Sequence, residues 1–503
     1  MTDLGELKKR NQIILGLLLS LFFLGYFCYW IFQFYPCLLN DEYASLEYIY
    51  RSVKLGHLYP TPYRYFKPYS LLTGFFAFAG GPLALSLMVA VFSSAMLFIF
   101  YLVMRQKLSF PFAWLSLVMV GFAPDLLDIT VQGASISPAI FFILLAIYFG
   151  EKIKEKPRTW IYYSIFGFLG GLIRPESWLL AFPLLFWLAP KKMNSIKFSN
   201  IVIWIIAPGI IALSAIIWFG KDLIINHNLF HSLEIAKYNR IIGGGAGSGP
   251  LKALSWFFIF PALQLSKPFI CFCLMGLVIF IWQKKRALFY EPLFIFTVAF
   301  FVFLYLSILQ GLYPQIRFFV LWNLLLIFYG VWLLEQILFY FRNQSRFWSG
   351  IILVIIISAG EFFWISYRLK NAELKILANE SKIQKSVIQL TEFFAPQIKD
   401  KPLKFMISDR RDEQFSWLLR EFAPQEFISF RKAFYYQTFE GKDFLSFEPD
   451  WIIWHPTDYN VYLVQDMFRW LGFQDRTELR GYLISLETRI DDFRLFKVTR
   501  LNP

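Results

Sequence analysis

The sequence predicts a polytopic α-helical membrane protein of about eleven transmembrane helices, followed by a soluble C-terminal α/β domain outside the cytoplasm. Three observations carry this expectation. The 503 residues are 57% hydrophobic, 20% aromatic and only 17% charged, and mean hydropathy is positive. A water-soluble globule cannot hide that much apolar surface behind so few charges. Apolar runs close to the length of a bilayer crossing recur as far as Trp364, and after Tyr367 the composition turns to that of a soluble domain.

The first expected span is Gln12 to Tyr35, behind the basic stub Lys8, Lys9 and Arg10. It is longer than a signal-peptide core and no small-residue cleavage site follows, so it reads as a retained helix. Further runs are Gly81 to Val103, Phe110 to Ala123, Ser137 to Gly150, Trp160 to Ile173, Trp178 to Pro190 and Ile201 to Phe219. Phe269 to Trp282, Leu288 to Leu309, Phe318 to Leu338 and Trp348 to Trp364 complete the series. Between alternate runs lie Arg105 and Lys107; Lys152, Lys154, Lys156 and Arg158; Lys191, Lys192 and Lys197; Lys284, Lys285 and Arg286; Arg342 and Arg346. The positive-inside rule assigns all of these, with the N-terminus, to the cytoplasm. An odd number of spans then puts the tail on the far side of a plasma (inner) membrane, in the periplasm.

The expected organisation is a transmembrane domain over residues 1–366, with extracytoplasmic loops at 36–80 and 220–267, and a soluble domain over 367–503. In the tail, "LKFMIS", "DWIIWHP", "GYLISLE" and "RLFKVT" read as strands, with helical stretches around Glu413 to Glu421 and Val461 to Trp470.

The net charge of +14 does not point to nucleic acid, because the basic residues sit in short clusters between apolar runs, where they write topology. Of four cysteines, Cys28, Cys271 and Cys273 lie in apolar runs and Cys37 stands alone outside them, which indicates neither a disulfide framework nor a zinc site. "GGGAGSGP", ending at Pro250, lacks the lysine and hydroxyl residue that close a phosphate-binding loop.

Chemistry concentrates on the far side. In "LNDEYASLEYIYRSVKLGH" Asn40 is a helix N-cap, and Asp41 and Glu42 fall in the first turn, where acids favour the macrodipole. Tyr43, Leu46, Ile49, Tyr50 and Val53 recur at helical spacing, as in a helix lying on the membrane surface. "YPTPYRYFKPYSLLTGFF" follows, with Arg64 and Lys67 among aromatic residues. Arg174 and Arg317 occupy short loops on the same side, and guanidinium groups suit phosphate oxygens through bidentate contact. Glu176 is placed to pair with Arg174, and His227 with His231 has the spacing of metal ligands without a third partner.

The first span, the acidic pair opening a long external helix, and the aromatic, proline-rich stretch with its "KP" together resemble the large membrane glycosyltransferases of the C superfamily (GT-C). "GFLGGLIRPESWLLAFPLL" and "YPQIRFFVLWNLLLI" are similar to later segments of that family. Where many relatives carry an acid at the start of the fourth span, this chain reads "GASISPAIFF", and the nearest acids are Asp125 and Asp128. The resemblance implies transfer of a sugar from a polyprenyl-phosphate donor, with inversion, to a glycolipid, polysaccharide or protein. A departing phosphate needs fixed positive charge and an acceptor hydroxyl needs a base. Asp41 is then the base, with Glu42 supporting it or binding the acceptor or a metal. Arg64, Lys67, Arg174 and Arg317 would hold the donor phosphate, and His57, Tyr63, Glu176 and Asp128 would contact substrate. No cofactor is required, a divalent cation on Asp41 and Glu42 being the one open alternative. The competing readings are a lipid-linked glycan flippase or polymerase, or another polytopic transporter. Neither needs a carboxylate base, and the inverted repeats usual in carriers are not evident.

Overall fold

The computed structural model describes residues 2–56, 75–76, 78–153, 155–187, 198–229, 249–284, 291–310, 316–341, 347–398, 402–407, 412–420, 426–429, 448–455, 476–479 and 481–501. Helices account for the first three quarters of the chain. They are α1 (Thr2–Phe34), α2 (Asn40–Leu55), α3 (Gly81–Arg105), α4 (Phe110–Gly121), α5 (Pro124–Val131), α6 (Ile136–Glu151) and α7 (Trp160–Ile173). After a 3₁₀ turn at Pro175–Leu180 come α8 (Ala181–Trp187), α9 (Phe198–Asn226), α10 (Pro250–Gln264), α11 (Lys267–Lys284), α12 (Pro292–Leu309), α13 (Ile316–Phe341) and α14 (Phe347–Arg368).

Six of these helices are long and apolar enough to cross a membrane, those in α1, α3, α9, α12, α13 and α14, and α4 with α5 makes a seventh if that pair, bent by 52°, is one span. The bend falls where Pro124 opens α5 and cannot continue the preceding helix. The expected runs near Ser137 and Phe269 form shorter apolar helices. The run from Trp178 divides between the 3₁₀ turn, which Pro175 opens, and α8.

The bundle is built around α13, 89% of whose apolar window is buried inside the protein, whereas α1 and α14 bury 22% and 17% of theirs. Outward-facing side chains such as Leu18, Phe22, Ile216 and Ile356 are exposed, the distribution expected where lipid is the solvent. Small residues allow close contact: a Cβ on Gly276 of α11 would stand 2.3 Å from the Tyr329 carbonyl oxygen of α13, so these backbones nearly touch.

Among the described residues, those beside Arg105, Glu151 and Glu291 meet at one end of the bundle, while Lys191, Lys192, Lys197, Lys285, Arg286, Arg342 and Arg346 lie outside the described residues. Lys107 Nζ donates to Glu151 Oε2 at 2.6 Å and also to Glu291. Arg105 donates to Gln12 Oε1 at 2.8 Å, and the Ser109 amide to Glu335 Oε1 at 2.8 Å.

Beyond Arg368 the helix runs through a π turn, Leu369–Glu373, into α15 (Leu374–Ile398). Neither α15 nor α10 was expected from the sequence. The tail forms a six-stranded sheet of order β2-β1-β3-β6-β5-β4. The strands are β1 (Lys404–Ile407), β2 (Glu426–Ser429), β3 (Trp451–Trp454), β4 (Arg476–Leu479), β5 (Tyr482–Ile490) and β6 (Phe493–Arg500), with α16 (Asp412–Leu418) between β1 and β2. β1 runs parallel to β2 and β3, and the remaining pairs are antiparallel. Phe394 of α15 packs against Phe405, Phe415 and Trp451 to close this core. The helical stretch expected at Val461 to Trp470 lies outside the described residues.

Two local expectations are corrected. The N-cap of α2 is Leu39, with no side-chain cap, and Asn40 is already helical. The first turns of the apolar stripe of α2 do not lie bare for a membrane surface: Tyr43 and Leu46 pack with Leu85 of α3 and Trp417 of α16, while Val53 at the end of the stripe is exposed. An amphipathic pattern states that one face wants burial and leaves the covering partner unnamed.

Candidate functional site

Where α7 ends, Arg174 adopts extended backbone with φ −149° and ψ 138°, and its amide closes the helix on the Gly170 carbonyl at 2.9 Å. Pro175 then forces the chain into the 3₁₀ turn. This geometry lets Glu176 turn back: Arg174 Nη2 donates to Glu176 Oε1 at 2.8 Å, and Nε lies 3.3 and 3.2 Å from the two carboxylate oxygens. Arg317 enters from the first turn of α13. The two guanidinium carbons stand 5.7 Å and 5.5 Å from the centroid of the same ring, Phe318, within the range of cation–π attraction.

Arg174, Glu176, Arg317 and Phe318 line a narrow cleft whose other walls are Ile136, Ala139, Ile140 and Ile143 of α6, Phe300 of α12 and Leu321 of α13. One part of the lining is charged, and the rest is aliphatic or aromatic. Two arginines that are far apart in sequence therefore share one cavity.

Of the first-loop acids, Glu42 approaches the N-terminal end of α6. Glu42 is 1% exposed, and its Oε1 accepts the Ser135 amide at 3.3 Å, one residue before Ile136 of the cleft wall. Asp41 is in the first turn of α2 by its backbone, and its side chain lies outside the described residues, as do His57, Tyr63, Arg64, Lys67 and His231. His227 is described, at φ 53°, and exposed.

Asp128 stands elsewhere: it accepts from Gln132 Nε2 at 2.5 Å and is not among the lining residues. Nearby, Asp125 is buried and accepts from Asn323 Nδ2 of α13 at 2.7 Å, and Gln264 of α10 donates to Glu373 of the π turn at 3.2 Å. Sequence reasoning missed Asn323, Gln264 and Glu373. The available signal was an ionisable or amide residue inside or at the edge of an apolar run, which is costly unless paired. Among the described residues no three of His, Cys, Asp and Glu are grouped so as to hold a metal ion.

No family model and no curated protein sequence matches the chain. Among solved structures it is similar to ArnT from Cupriavidus metallidurans bound to undecaprenyl phosphate, with TM-score 0.57 and 13% identity over 98% of this chain and 99% of that one. The apo state of the same ArnT aligns with TM-score 0.48 and 13% identity over 97% and 98% of the two chains. An oligosaccharyltransferase from Archaeoglobus fulgidus aligns with TM-score 0.48 and 12% identity over 87% of this chain and 69% of that one. The first match establishes the fold alone: an ArnT-like, predominantly helical architecture ending in a small sheet.

Proposed function

Proceeding from this ArnT-like fold, we propose that the chain transfers a sugar from a polyprenyl-phosphate donor to a glycolipid, polysaccharide or protein acceptor outside the cytoplasm. The observation that carries the reading is that Arg174 and Arg317 line one cleft with otherwise apolar walls. A polyprenyl phosphate has that same division, an anionic head on a hydrocarbon tail. Undecaprenyl phosphate in the ArnT structure supports the same ligand class.

As the glycosidic bond breaks, negative charge gathers on the phosphate oxygens, and fixed guanidinium groups stabilise it more in the transition state than in the bound donor. Arg174 and Arg317 take this part, with Arg64 and Lys67 proposed beside them. Arg174 must release part of its contact with Glu176 to receive phosphate. Asp41 removes the proton of the acceptor hydroxyl, with Glu42 placing it, and the hydroxyl attacks the anomeric carbon from the face opposite the phosphate, inverting it. His57, Tyr63 and Glu176 stay assigned to substrate contact, and Asp128, held by Gln132 outside the cleft lining, does not. The basic end containing Lys107 faces the cytoplasm in this reading, and the sheet-bearing part after residue 367 lies in the periplasm.

The test is transfer from synthetic polyprenyl-phosphate sugars by the full chain in nanodiscs, scored by mass spectrometry of cell-envelope acceptors. Wild type should produce glycosylated product and free polyprenyl phosphate. Retention of the wild-type rate by Asp41→Asn would refute the assigned base.

A further inference from the structure

We propose that Gln384 of α15 is a positioning residue that clamps the start of α2 and so fixes where Asp41 and Glu42 stand. The tail is then a working part of the site. The inference rests on the reading of those acids as the group that activates the acceptor.

Gln384 is 2% exposed and spends its whole carboxamide on the segment leading into α2. Its Oε1 accepts the Leu38 amide at 3.0 Å and the Tyr43 hydroxyl at 3.1 Å, while its Nε2 donates to the Leu38 carbonyl at 2.8 Å. One side chain thus satisfies both backbone groups of one residue, as a neighbouring strand would, and a two-point contact of this kind resists sliding and rotation.

The segment needs such a hold because Leu39 caps α2 without a side-chain hydrogen bond. Gln132 supplies a second fixed point, accepting the Leu39 amide on its carbonyl at 3.0 Å. Gln384 is itself braced, since its carbonyl accepts Gln414 Nε2 of α16 at 3.0 Å. α16 also grips α2 farther along, where Ser416 donates to Glu47 Oε1 at 2.6 Å.

A carboxylate works as a base only within hydrogen-bond reach of its proton, and a displacement of about 1 Å costs on the order of 100-fold in rate. Only an amide of this length offers an acceptor and a donor side by side to Leu38. Asparagine is one methylene short, and methionine keeps the shape without the hydrogen bonds.

The test uses full-length protein in nanodiscs, wild type against Gln384→Met, with Lys385→Ala at the exposed neighbouring position as control. Hydrogen–deuterium exchange should rise about tenfold at amides 38–46 and stay unchanged in β5 and β6. The transfer kcat should fall about 10- to 100-fold while donor KM stays within about twofold, a split that a general loss of structure would not produce. If Gln384→Met does not fold, Gln384→Glu, which keeps the acceptor oxygen, should fall between it and wild type. Unchanged exchange at 38–46, or an unchanged kcat, overturns the clamp. A wild-type chain that transfers no sugar defeats the glycosyltransfer reading instead, and exchange still decides whether Gln384 holds α2.

Discussion

At one end of the bundle Lys107 lies between Glu151 and Glu291, two carboxylates for one ammonium where three loops meet. At the other, Arg174 and Arg317 flank Phe318 in an open cleft whose lining includes one carboxylate, Glu176. The first arrangement commits its ammonium to two carboxylates and turns no cation toward a ligand. The second sets two guanidinium groups beside apolar walls, an expense that protein near lipid retains where the charge is used. Substitutions at the open end should therefore change rate and affinity, and those at the closed end should change stability.

The largest expected effect is at the open end. Asp41→Asn should lower transfer by about 10²- to 10⁴-fold with the melting temperature held and undecaprenyl phosphate still bound. A comparable loss of melting temperature would break the contrast.

Next is Lys107→Met, which leaves two carboxylates facing each other at a part-buried site and should destabilise the fold by about 3 kcal/mol, with kcat per folded molecule unchanged. Burial works against the Lys107 ammonium, but Glu151 and Glu291 outweigh it and hold the pKa above the usual 10.5. Because the folded value is raised, the stabilisation is complete below 10.5 and is lost only as pH climbs through the folded value. Denaturant titrations of wild type and variant at neutral and strongly alkaline pH should therefore converge at the alkaline end.

Arg317→Ala, at the open end, should weaken binding of undecaprenyl phosphate by about 10- to 100-fold, the size of one or two charge-assisted hydrogen bonds, with Arg317→Lys recovering only part. Equal binding by wild type and Arg317→Ala, measured by quantitative native mass spectrometry, would remove the phosphate role. The smallest effect belongs to the junction between the regions. Ser416→Ala removes one hydrogen bond to Glu47 and should cost about 1 kcal/mol, read as a lower melting temperature.

Legibility in the sequence followed the range of the interaction. The span Gly81 to Val103 appears as α3 to within two residues, because twenty or more apolar residues report their solvent without reference to any partner. Arg174 and Arg317 could be named singly, since a cation beside a short loop at a membrane edge is visible in one dimension. Their common cavity could not. Asn323, which meets Asp125 across the bundle, looks in the sequence like a stray polar residue in an apolar run. Gln384 gives no local sign at all, because the two residues its side chain bonds, Leu38 and Tyr43, lie some 340 positions earlier in the chain.

The sequence by itself determined that this chain is predominantly helical and apolar, where most long helices begin and end, and that a small α/β unit follows. These follow from composition and periodicity, which act over a few turns of chain. Only the tertiary structure decided that the first turns of α2 are covered by α3 and α16, that α15 reaches back to its start, and that two distant arginines face one apolar cleft. Side-chain contacts between elements are set by how helices pack, and packing is a property of pairs that no single run of residues contains.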